Sequence, residues 1–318
     1  MVDFLPRRGG RASLVLGTMN FGKRTSEDEA KRMVARALER GLTLFDTANV
    51  YESGASERIL GRALGRDRSS ALVATKVGAG RVSGRPEGLS PARVKASLDE
   101  SLARLGMDHV DLYYAHVPDR DVPLAETTDA MLEAVASGKA RAWGVSNHAS
   151  WEILAMIQRA DAKGGPRPVI SQVLLNLLVR QIETEHLRFA ETYGLHVTVY
   201  NALAGGLLAG AHSPGAPPKG SRFDGNTMYQ RRYWTARFFE LVESYRAVAA
   251  ETGLTLLELS YAWLATRPGV SSILLGPGTT SHLDQAIDAS ARELPSATLV
   301  RLDEIHLAFQ GTDARYAR

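Results

Sequence analysis

Apolar residues form short continuous runs along the chain, and segments with helical spacing of apolar positions separate most of them. Runs of about four to eight residues bounded by polar or glycine positions are typical of buried strands. The runs that predict strands are Ser13–Gly17, Thr43–Asp46, Ala71–Lys76, Val110–His116, Ala140–Val145, Val169–Val173, Leu195–Tyr200 and Ser271–Leu275.

Helical periodicity occupies the intervals. Ser26 is a suitable N-cap, Glu29 would complete a capping box, and Gly41 ends the first helix. We predict loops at 78–88, which is rich in glycine, and from 201 to 235. The other predicted helices are 56–64, 91–105, 124–137, 151–162, 185–193, 236–252, 255–266 and one final helix after Gly276-Pro277-Gly278.

Strands that alternate with helices predict an α/β fold with a parallel sheet covered on both faces. Eight such strands favour a closed (β/α)₈ TIM barrel, which we expect to form a single domain over residues 1–318. A doubly wound sheet would carry a Gly-x-Gly-x-x-Gly turn after the first strand. Gly17 and Gly22 do not have that spacing.

Composition narrows the class of protein. The net charge is +3 with an isoelectric point of about 9.1, but no long Lys/Arg run predicts a nucleic-acid partner. The absence of cysteine excludes disulfides, cysteine-ligated metals and thiol catalysis, and we predict no metal site. No apolar run has the length of a signal peptide or a membrane span, so we expect a cytoplasmic enzyme without a membrane partner.

Several predicted strands end on residues that carry chemistry. The carboxyl ends of barrel strands converge on one face, where barrel enzymes place their active sites. Each residue alone has an ordinary interpretation, such as a helix-capping aspartate or a tyrosine packed as a lid. Together they predict a site formed by Asp46, Tyr51, Lys76, His116, Ser146, Asn147, Gln172 and Tyr200.

The chemistry of the first four residues is mutually consistent. A tyrosine with a pKa of about 10 is a poor proton donor at neutral pH, and a lysine beside it lowers that pKa. Asp46 would hold Lys76 charged, and His116 would orient a carbonyl oxygen toward Tyr51. We therefore predict that Tyr51 is the general acid that protonates the oxygen of a carbonyl group as it is reduced. No side chain donates hydride, so a nicotinamide cofactor is implied.

The chain resembles the aldo-keto reductase superfamily through Asp46-Thr47-Ala48-x-x-Tyr51, Gly54-x-Ser56-Glu57-x-x-Leu60-Gly61, Lys76, His116 and Gly144-Val145-Ser146-Asn147. Further stretches resemble the aflatoxin aldehyde reductase and succinic semialdehyde reductase subgroup, including Leu203–Leu208 and Met228-Tyr229. The resemblance implies Asp46, Tyr51, Lys76 and His116 as a catalytic tetrad. It also implies NADPH, an aldehyde, ketone or dicarbonyl substrate, and a possible homodimer.

The resemblance also implies cofactor contacts. Ser146, Asn147 and Gln172 would hold the nicotinamide carboxamide, and Tyr200 would stack on the nicotinamide ring. Met19 and Asp46 are further expected cofactor contacts. For the phosphates the contacts are Asn201, Leu203, Gly205, Gly206, Leu207 and Arg222, although Gly205-Gly206 could be an ordinary flexible turn. For the adenosine they are Gly276, Gly278, Thr279, Thr280, His282 and Gln285.

The last predicted helix departs from the family. A basic residue near Gly278 and an asparagine at Ala286 are both missing, so NADH is not excluded. The helix N-terminus could still bind an anion through Thr279 and Thr280.

Arg232 and a carboxyl-terminal arginine, Arg318 or Arg315, match positions that could reach the mouth of the barrel. Arginine is the usual partner of a carboxylate, so we hypothesise an acidic carbonyl substrate in contact with Tyr51, His116, Arg232 and Arg318. The alternative is that both arginines are solvated surface residues.

Two other functions fit the same scaffold. One is a regulatory NADP(H)-binding module like the potassium-channel β subunits, which belong to the same superfamily. The other is an aldolase that uses Lys76 to form a Schiff base. The sequence does not give the physiological substrate or the oligomeric state.

Overall fold

A computed structural model describes Leu5, residues 9–314 and Tyr316. The strands are β1 Ser13–Gly17, β2 Leu44–Asp46, β3 Leu72–Val77, β4 Arg81–Val82, β5 Arg85–Pro86, β6 Val110–Ala115, β7 Ala140–Ser146, β8 Ile170–Leu174, β9 His196–Tyr200 and β10 Ser272–Leu275. Eight of them form a closed parallel barrel in the order β1-β10-β9-β8-β7-β6-β3-β2, and a small antiparallel hairpin, β4-β5, follows β3. The predicted TIM barrel is therefore confirmed.

Helices cover the outside of the barrel. They are α1 Glu27–Glu39, α2 Ala55–Leu64, α3 Pro91–Leu105, α4 Leu124–Ala136, α5 Ser150–Ala162, α6 His186–Tyr193, α7 Thr227–Tyr233, α8 Ala236–Glu251, α9 Leu256–Thr266, α10 Thr280–Ser290 and α11 Ser296–Gln310.

The two faces of the strands build two apolar cores. Outward side chains such as Phe45, Val73 and Trp143 pack with the helices in the larger core. Inward side chains such as Leu44 and Leu112 form a smaller cluster in the barrel interior, as barrel sterics require. Apolar side chains therefore fill much of the barrel interior.

Three elements differ from the predicted ones. The expected loop at 78–88 contains the β4-β5 hairpin, whose paired residues are exposed. The expected long loop contains α7, and the expected final helix is two helices, because α10 ends at Ser290 and α11 starts after Pro295. Within the described residues, no helix is long and apolar enough to cross a membrane.

Candidate active site

A buried ion pair lies at the carboxyl ends of β2 and β3. The ammonium of Lys76 donates to Asp46 Oδ1 and to the backbone oxygen of Thr47 at 2.8 Å. Gln172 Nε2 donates to the other oxygen, Asp46 Oδ2, at 2.9 Å. The Lys76 and Asp46 side chains are 0% and 1% exposed, so neither charge is screened by water. Each charge is instead compensated by a partner at hydrogen-bond distance.

Tyr51 contacts this pair from the loop that follows β2. Its hydroxyl lies 3.5 Å from Lys76 Nζ, at the outer limit of a hydrogen bond. The ring of His116, the residue that follows β6, packs edge-on against the Tyr51 ring with 6.0 Å between centroids. The structure therefore brings together all four residues that the sequence predicted as the tetrad.

The pKa values of the tetrad follow from burial and from the ion pair. Burial raises the pKa of Tyr51, the positive charge of Lys76 opposes that rise, and Asp46 reinforces it. The sequence predicted a net lowering. In the structure the pKa of Tyr51 is instead raised overall, because loss of water around the phenol outweighs the lysine.

The net pKa shifts of Lys76 and His116 have opposite signs. Burial lowers the pKa of Lys76, but Asp46 and Tyr51 together raise it by more, so the net pKa is raised and the ammonium stays charged. Burial, and then the charge of Lys76, lower the pKa of His116 to about 3. The His116 imidazole is therefore neutral at physiological pH. Its buried Nδ1 has no hydrogen-bond partner within the described part of the chain.

A cavity of about 720 Å³ opens in front of the tetrad. This volume is typical of a small-molecule site. The predicted site residues that line it are Met19, Asp46, Tyr51, His116, Ser146, Asn147, Gln172, Tyr200, Asn201, Leu203, Gly205, Gly206, Arg222, Arg232, Gly276, Gly278, Thr279 and His282.

Four other predicted site residues do not line the cavity. Lys76 lies fully buried behind Tyr51, and Leu207 belongs to the apolar core because its side chain is completely enclosed. Thr280 and Gln285 lie on α10 outside the cavity wall, where Gln285 donates to Ser281 Oγ at 3.3 Å. Leu207 in particular contributes packing and presents no side chain to a ligand.

Two asparagines of the cavity wall use their amide groups within the protein. Asn147, with φ 62°, donates to the backbone oxygen of His116 at 3.0 Å and accepts from the Tyr200 hydroxyl at 2.7 Å. Asn201, with φ 63°, donates to the Tyr233 hydroxyl at 2.8 Å and accepts from Gly205 N at 3.0 Å. These contacts fix the shape of the wall.

The Gly205-Gly206 turn is specific rather than freely flexible. Both residues have positive φ, 71° and 113°. A Cβ at Gly205 would lie 2.9 Å from the Tyr229 ring, and a Cβ at Gly206 would lie 3.0 Å from His212 Nε2. Glycine is therefore required here by conformation and by space.

The N-terminus of α10 is partly occupied by Glu29. This carboxylate accepts from Thr280 N at 2.6 Å and from Thr280 Oγ1 at 2.8 Å, and it also pairs with Arg32. Hydrogen bonds from Thr280 and Arg32 lower the pKa of Glu29 to about 2. Ser26 caps α1 as predicted, but the Glu29 side chain reaches α10 instead of completing a capping box. The Thr280 donors are therefore not free for an external anion.

Sequence reasoning missed several residues of the cavity wall, among them Asn20, Arg24, Val117, Met228 and Tyr229. All five lie in loops or on the unpredicted α7, away from the last residue of a strand. Asn20 joins the first loop to the last one, because it donates to the backbone oxygens of Gly276 and Pro277 at 3.1 and 3.0 Å. The Met228-Tyr229 pair within the family resemblance was an early signal for two of these five residues.

Arginines give the cavity a cationic wall. Arg222 donates to the neutral amide oxygen of Asn20 at 2.8 Å, and its guanidinium lies 5.7 Å from the centre of the Tyr229 ring. The guanidinium of Arg232 lies 6.0 Å from the centre of the same ring. The predicted contacts of Arg318 and Arg315 lie outside the described residues.

Residues 13–307 match the sequence profile of the Aldo/keto reductase family. Among similar proteins, Aldo-keto reductase family 7 member A3 of Homo sapiens is 34% identical and covers 90% of each chain. Aflatoxin B1 aldehyde reductase member 2 of Rattus norvegicus is 32% identical over 88% of this chain and 80% of its own.

A probable voltage-gated potassium channel subunit beta of Arabidopsis thaliana is 31% identical over 96% of this chain and 97% of its own. The reductase relatives match the subgroup predicted from the motifs. By its profile, its closed barrel and these relatives, the chain belongs to the aldo/keto reductase family of nicotinamide-dependent oxidoreductases.

Proposed function

We propose that this protein is an NADPH-dependent carbonyl reductase in which Tyr51 protonates the substrate oxygen. One observation carries the proposal: the Tyr51 hydroxyl lies at a cavity and touches an ammonium that is buried with its carboxylate partner. A buried Lys–Asp pair behind a phenol that lines a cavity has an evident chemical use and little value as a stabilising pair. When bound, the nicotinamide supplies the hydride.

The side chains of the tetrad have distinct tasks. The neutral His116 imidazole donates a hydrogen bond to the carbonyl oxygen and places it near the phenol. Tyr51 then gives its proton to that oxygen as negative charge develops there. Lys76 stays charged and stabilises the resulting phenolate, while Asp46 holds Lys76 in place and Gln172 holds Asp46. The ammonium thus opposes, without cancelling, the pKa rise that burial imposes on the phenol.

The cavity wall fits a dinucleotide. Ser146 and Gln172 offer the hydroxyl and amide groups that suit a carboxamide, and the Tyr200 ring offers a face for stacking. The tight Gly205-Gly206 turn allows backbone to approach a phosphate. Arg222 also suits contact with a phosphate. Its hydrogen bond goes to the neutral amide of Asn20 rather than to a carboxylate, so this partner does not compensate its positive charge.

The substrate is an aldehyde or ketone, and Arg232 favours one with an acidic group. Arg232 lines the cavity on the same side as Tyr229. A carboxylated aldehyde should therefore have a higher kcat/KM than its uncharged analogue, and Arg232→Ala should remove the difference. Equal values in the unaltered protein would contradict an acidic substrate without affecting the reductase proposal.

A panel of aldehydes and dicarbonyls, assayed with NADPH and with NADH by absorbance at about 340 nm, tests the function directly. Tyr51→Phe should abolish turnover, because the proton donor is lost, and should leave the dinucleotide dissociation constant nearly unchanged. A Tyr51→Phe protein that reduces aldehydes at the original rate would disprove the role of Tyr51.

The similarity to potassium-channel β subunits favours a second candidate, a regulatory dinucleotide-binding module. Such a module would bind NADPH but turn over none of the carbonyls in the panel. The aldolase alternative is disfavoured because an amine that attacks a carbonyl must be neutral, and Lys76 is charged and enclosed. Borohydride should therefore trap no substrate on Lys76.

A further inference from the structure

The loop that carries Tyr51 is held by a second set of polar contacts. Asn49 Nδ2 donates to Glu87 Oε1 at 2.6 Å and to Ser97 Oγ at 2.8 Å. The Asn49 backbone N–H donates to the backbone oxygen of Lys76 at 3.3 Å. Asn49 Oδ1 is buried without a hydrogen-bond partner in the described structure, which is a cost. The side chain therefore contributes here through its donors alone.

Glu87 connects this loop to the segment that follows β3. Its side chain is only 3% exposed. Oε2 accepts from Gly78 N at 2.8 Å and from Gly80 N at 3.1 Å, while Oε1 accepts from Asn49 and lies 3.3 Å from Arg93 Nε. One carboxylate thus joins the connection after the strand of the catalytic lysine to the connection that carries the phenol.

The position of Tyr51 depends on such external support. The next two residues, Glu52 and Ser53, have φ of 47° and 53°, in the left-handed region that non-glycine residues rarely occupy. Such a backbone persists only where the surroundings impose it. The Tyr51 hydroxyl lies 3.5 Å from Lys76 Nζ, already at the outer limit of a hydrogen bond. A small outward shift of the loop would therefore break this contact.

We propose that Asn49 and Glu87 are positioning residues that set the distance between the Tyr51 hydroxyl and Lys76. Neither side chain belongs to the described wall of the cavity, so neither contacts the substrate. The effect of both residues passes through the loop backbone to the phenol. This inference rests on the proposed reductase function and assigns a role to residues outside the tetrad.

Asn49→Ala, Glu87→Gln and the double variant test the proposal, with Ser101→Ala as the matched control. Glutamine at 87 places an amide N–H against the donor of Asn49, while its oxygen can still accept from the glycine N–H groups. Each single variant should lower kcat on the order of tenfold with an unchanged dinucleotide dissociation constant. The double variant should lower kcat no further, because both changes break one link. Ser101 is buried on the same helix as Ser97 but accepts from Arg104 at 3.1 Å, so Ser101→Ala leaves the contacts of Asn49 intact and should stay close to the original rate.

The pH profile separates positioning from a general loss of structure. Reduction needs protonated Tyr51, so the rate falls as pH rises through the pKa of the phenol. When Lys76 is farther away, that pKa rises, and the basic limb of the profile should move to higher pH. A tenfold loss of kcat with an unmoved limb, or additive losses in the double variant, would overturn the proposal.

Crystal structures of the two single variants give a readout that does not require turnover. The distance from Lys76 Nζ to the Tyr51 hydroxyl should exceed 3.5 Å in both variants and remain at that value in Ser101→Ala. An unchanged distance in Asn49→Ala would overturn the positioning role. If the unaltered protein reduces none of the tested carbonyls, the proposed function fails, while this distance still decides the inference.

Discussion

At the scale of single residues, the tetrad combines groups whose charge states are fixed by their surroundings. His116 is held neutral by burial, and Lys76 is held charged by Asp46 despite its burial. Residue types at strand ends were enough to predict these four partners. The sign of the net shift at Tyr51 was not predictable, because it depends on how much water the folded chain removes from the phenol.

The pKa of His116 gives a prediction about acid stability. Between pH 6.5, the ordinary value, and about 3, the unfolded chain binds a proton at His116 that the folded chain does not. Stability is therefore lost as pH falls through this window, by up to about 1.4 kcal/mol per pH unit. Urea unfolding of the protein and of His116→Gln should show a shallower acid dependence in the variant. Parallel curves would contradict a neutral His116.

The ion pair gives a second prediction at this scale. Lys76→Met leaves Asp46 buried without its cation and should cost about 3–5 kcal/mol in the free energy of unfolding. Lys76→Met combined with Asp46→Asn should recover part of that loss, because no buried charge then remains. Urea unfolding measures both values. A double variant no more stable than Lys76→Met alone would show that the unpaired charge of Asp46 is not the source of the loss.

At the scale of elements, all eight barrel strands were predictable because each is a continuous apolar run enclosed by the helices and the barrel interior. The β4-β5 hairpin was missed because each of its strands has only two residues, which are exposed, and α7 was missed because its seven residues carry no apolar periodicity. Pro295, between α10 and α11, was an available signal for the end of a helix that the prediction did not use. The partner of Glu29 was not predictable, because the contact joins α1 to α10 across 251 residues of sequence.

The contact between Glu29 and α10 predicts an effect on cofactor choice. By the family resemblance, an adenosine 2′-phosphate would lie at this helix end, where the Glu29 charge repels it. Glu29→Gln keeps an acceptor for Thr280 but removes the charge. It should tighten NADPH relative to NADH by roughly two- to fivefold, the range of helix-terminus charge effects.

Fluorescence titration of both dinucleotides measures this ratio. Glu27→Gln is the matched control, since Glu27 lies on the same helix but pairs with Arg62 and Lys31. An equal ratio of dissociation constants in the protein and in Glu29→Gln would show that Glu29 does not select the cofactor.

At the scale of the whole molecule, one cavity draws its wall from residues spread over nearly the full sequence, from Gly17 to His282. We therefore propose that residues 1–318 unfold as one domain and that dinucleotide binding stabilises all of it. Saturation at about 100 times the dissociation constant adds about 2.7 kcal/mol, which should raise the Tm by about 3–8 °C in a single transition.

Scanning calorimetry with and without NADPH measures this shift. Tyr51→Phe should show the same shift, because it keeps the cofactor site. Two separate transitions would contradict the single domain, and an unmoved Tm would contradict dinucleotide binding.

The closure of the barrel between its first and last strands has a consequence for synthesis. Asn20 donates to the backbone oxygens of Gly276 and Pro277, and Thr25 donates to that of Gly278 at 2.9 Å. The loop after β1, which is made early in synthesis, is therefore held by the turn after β10, which is made late. A nascent chain on the ribosome therefore has no finished pocket until β10 has emerged. A bound dinucleotide would therefore stabilise only chains that extend through β10 and the start of α10, and products truncated before that point would lack this protection against proteolysis.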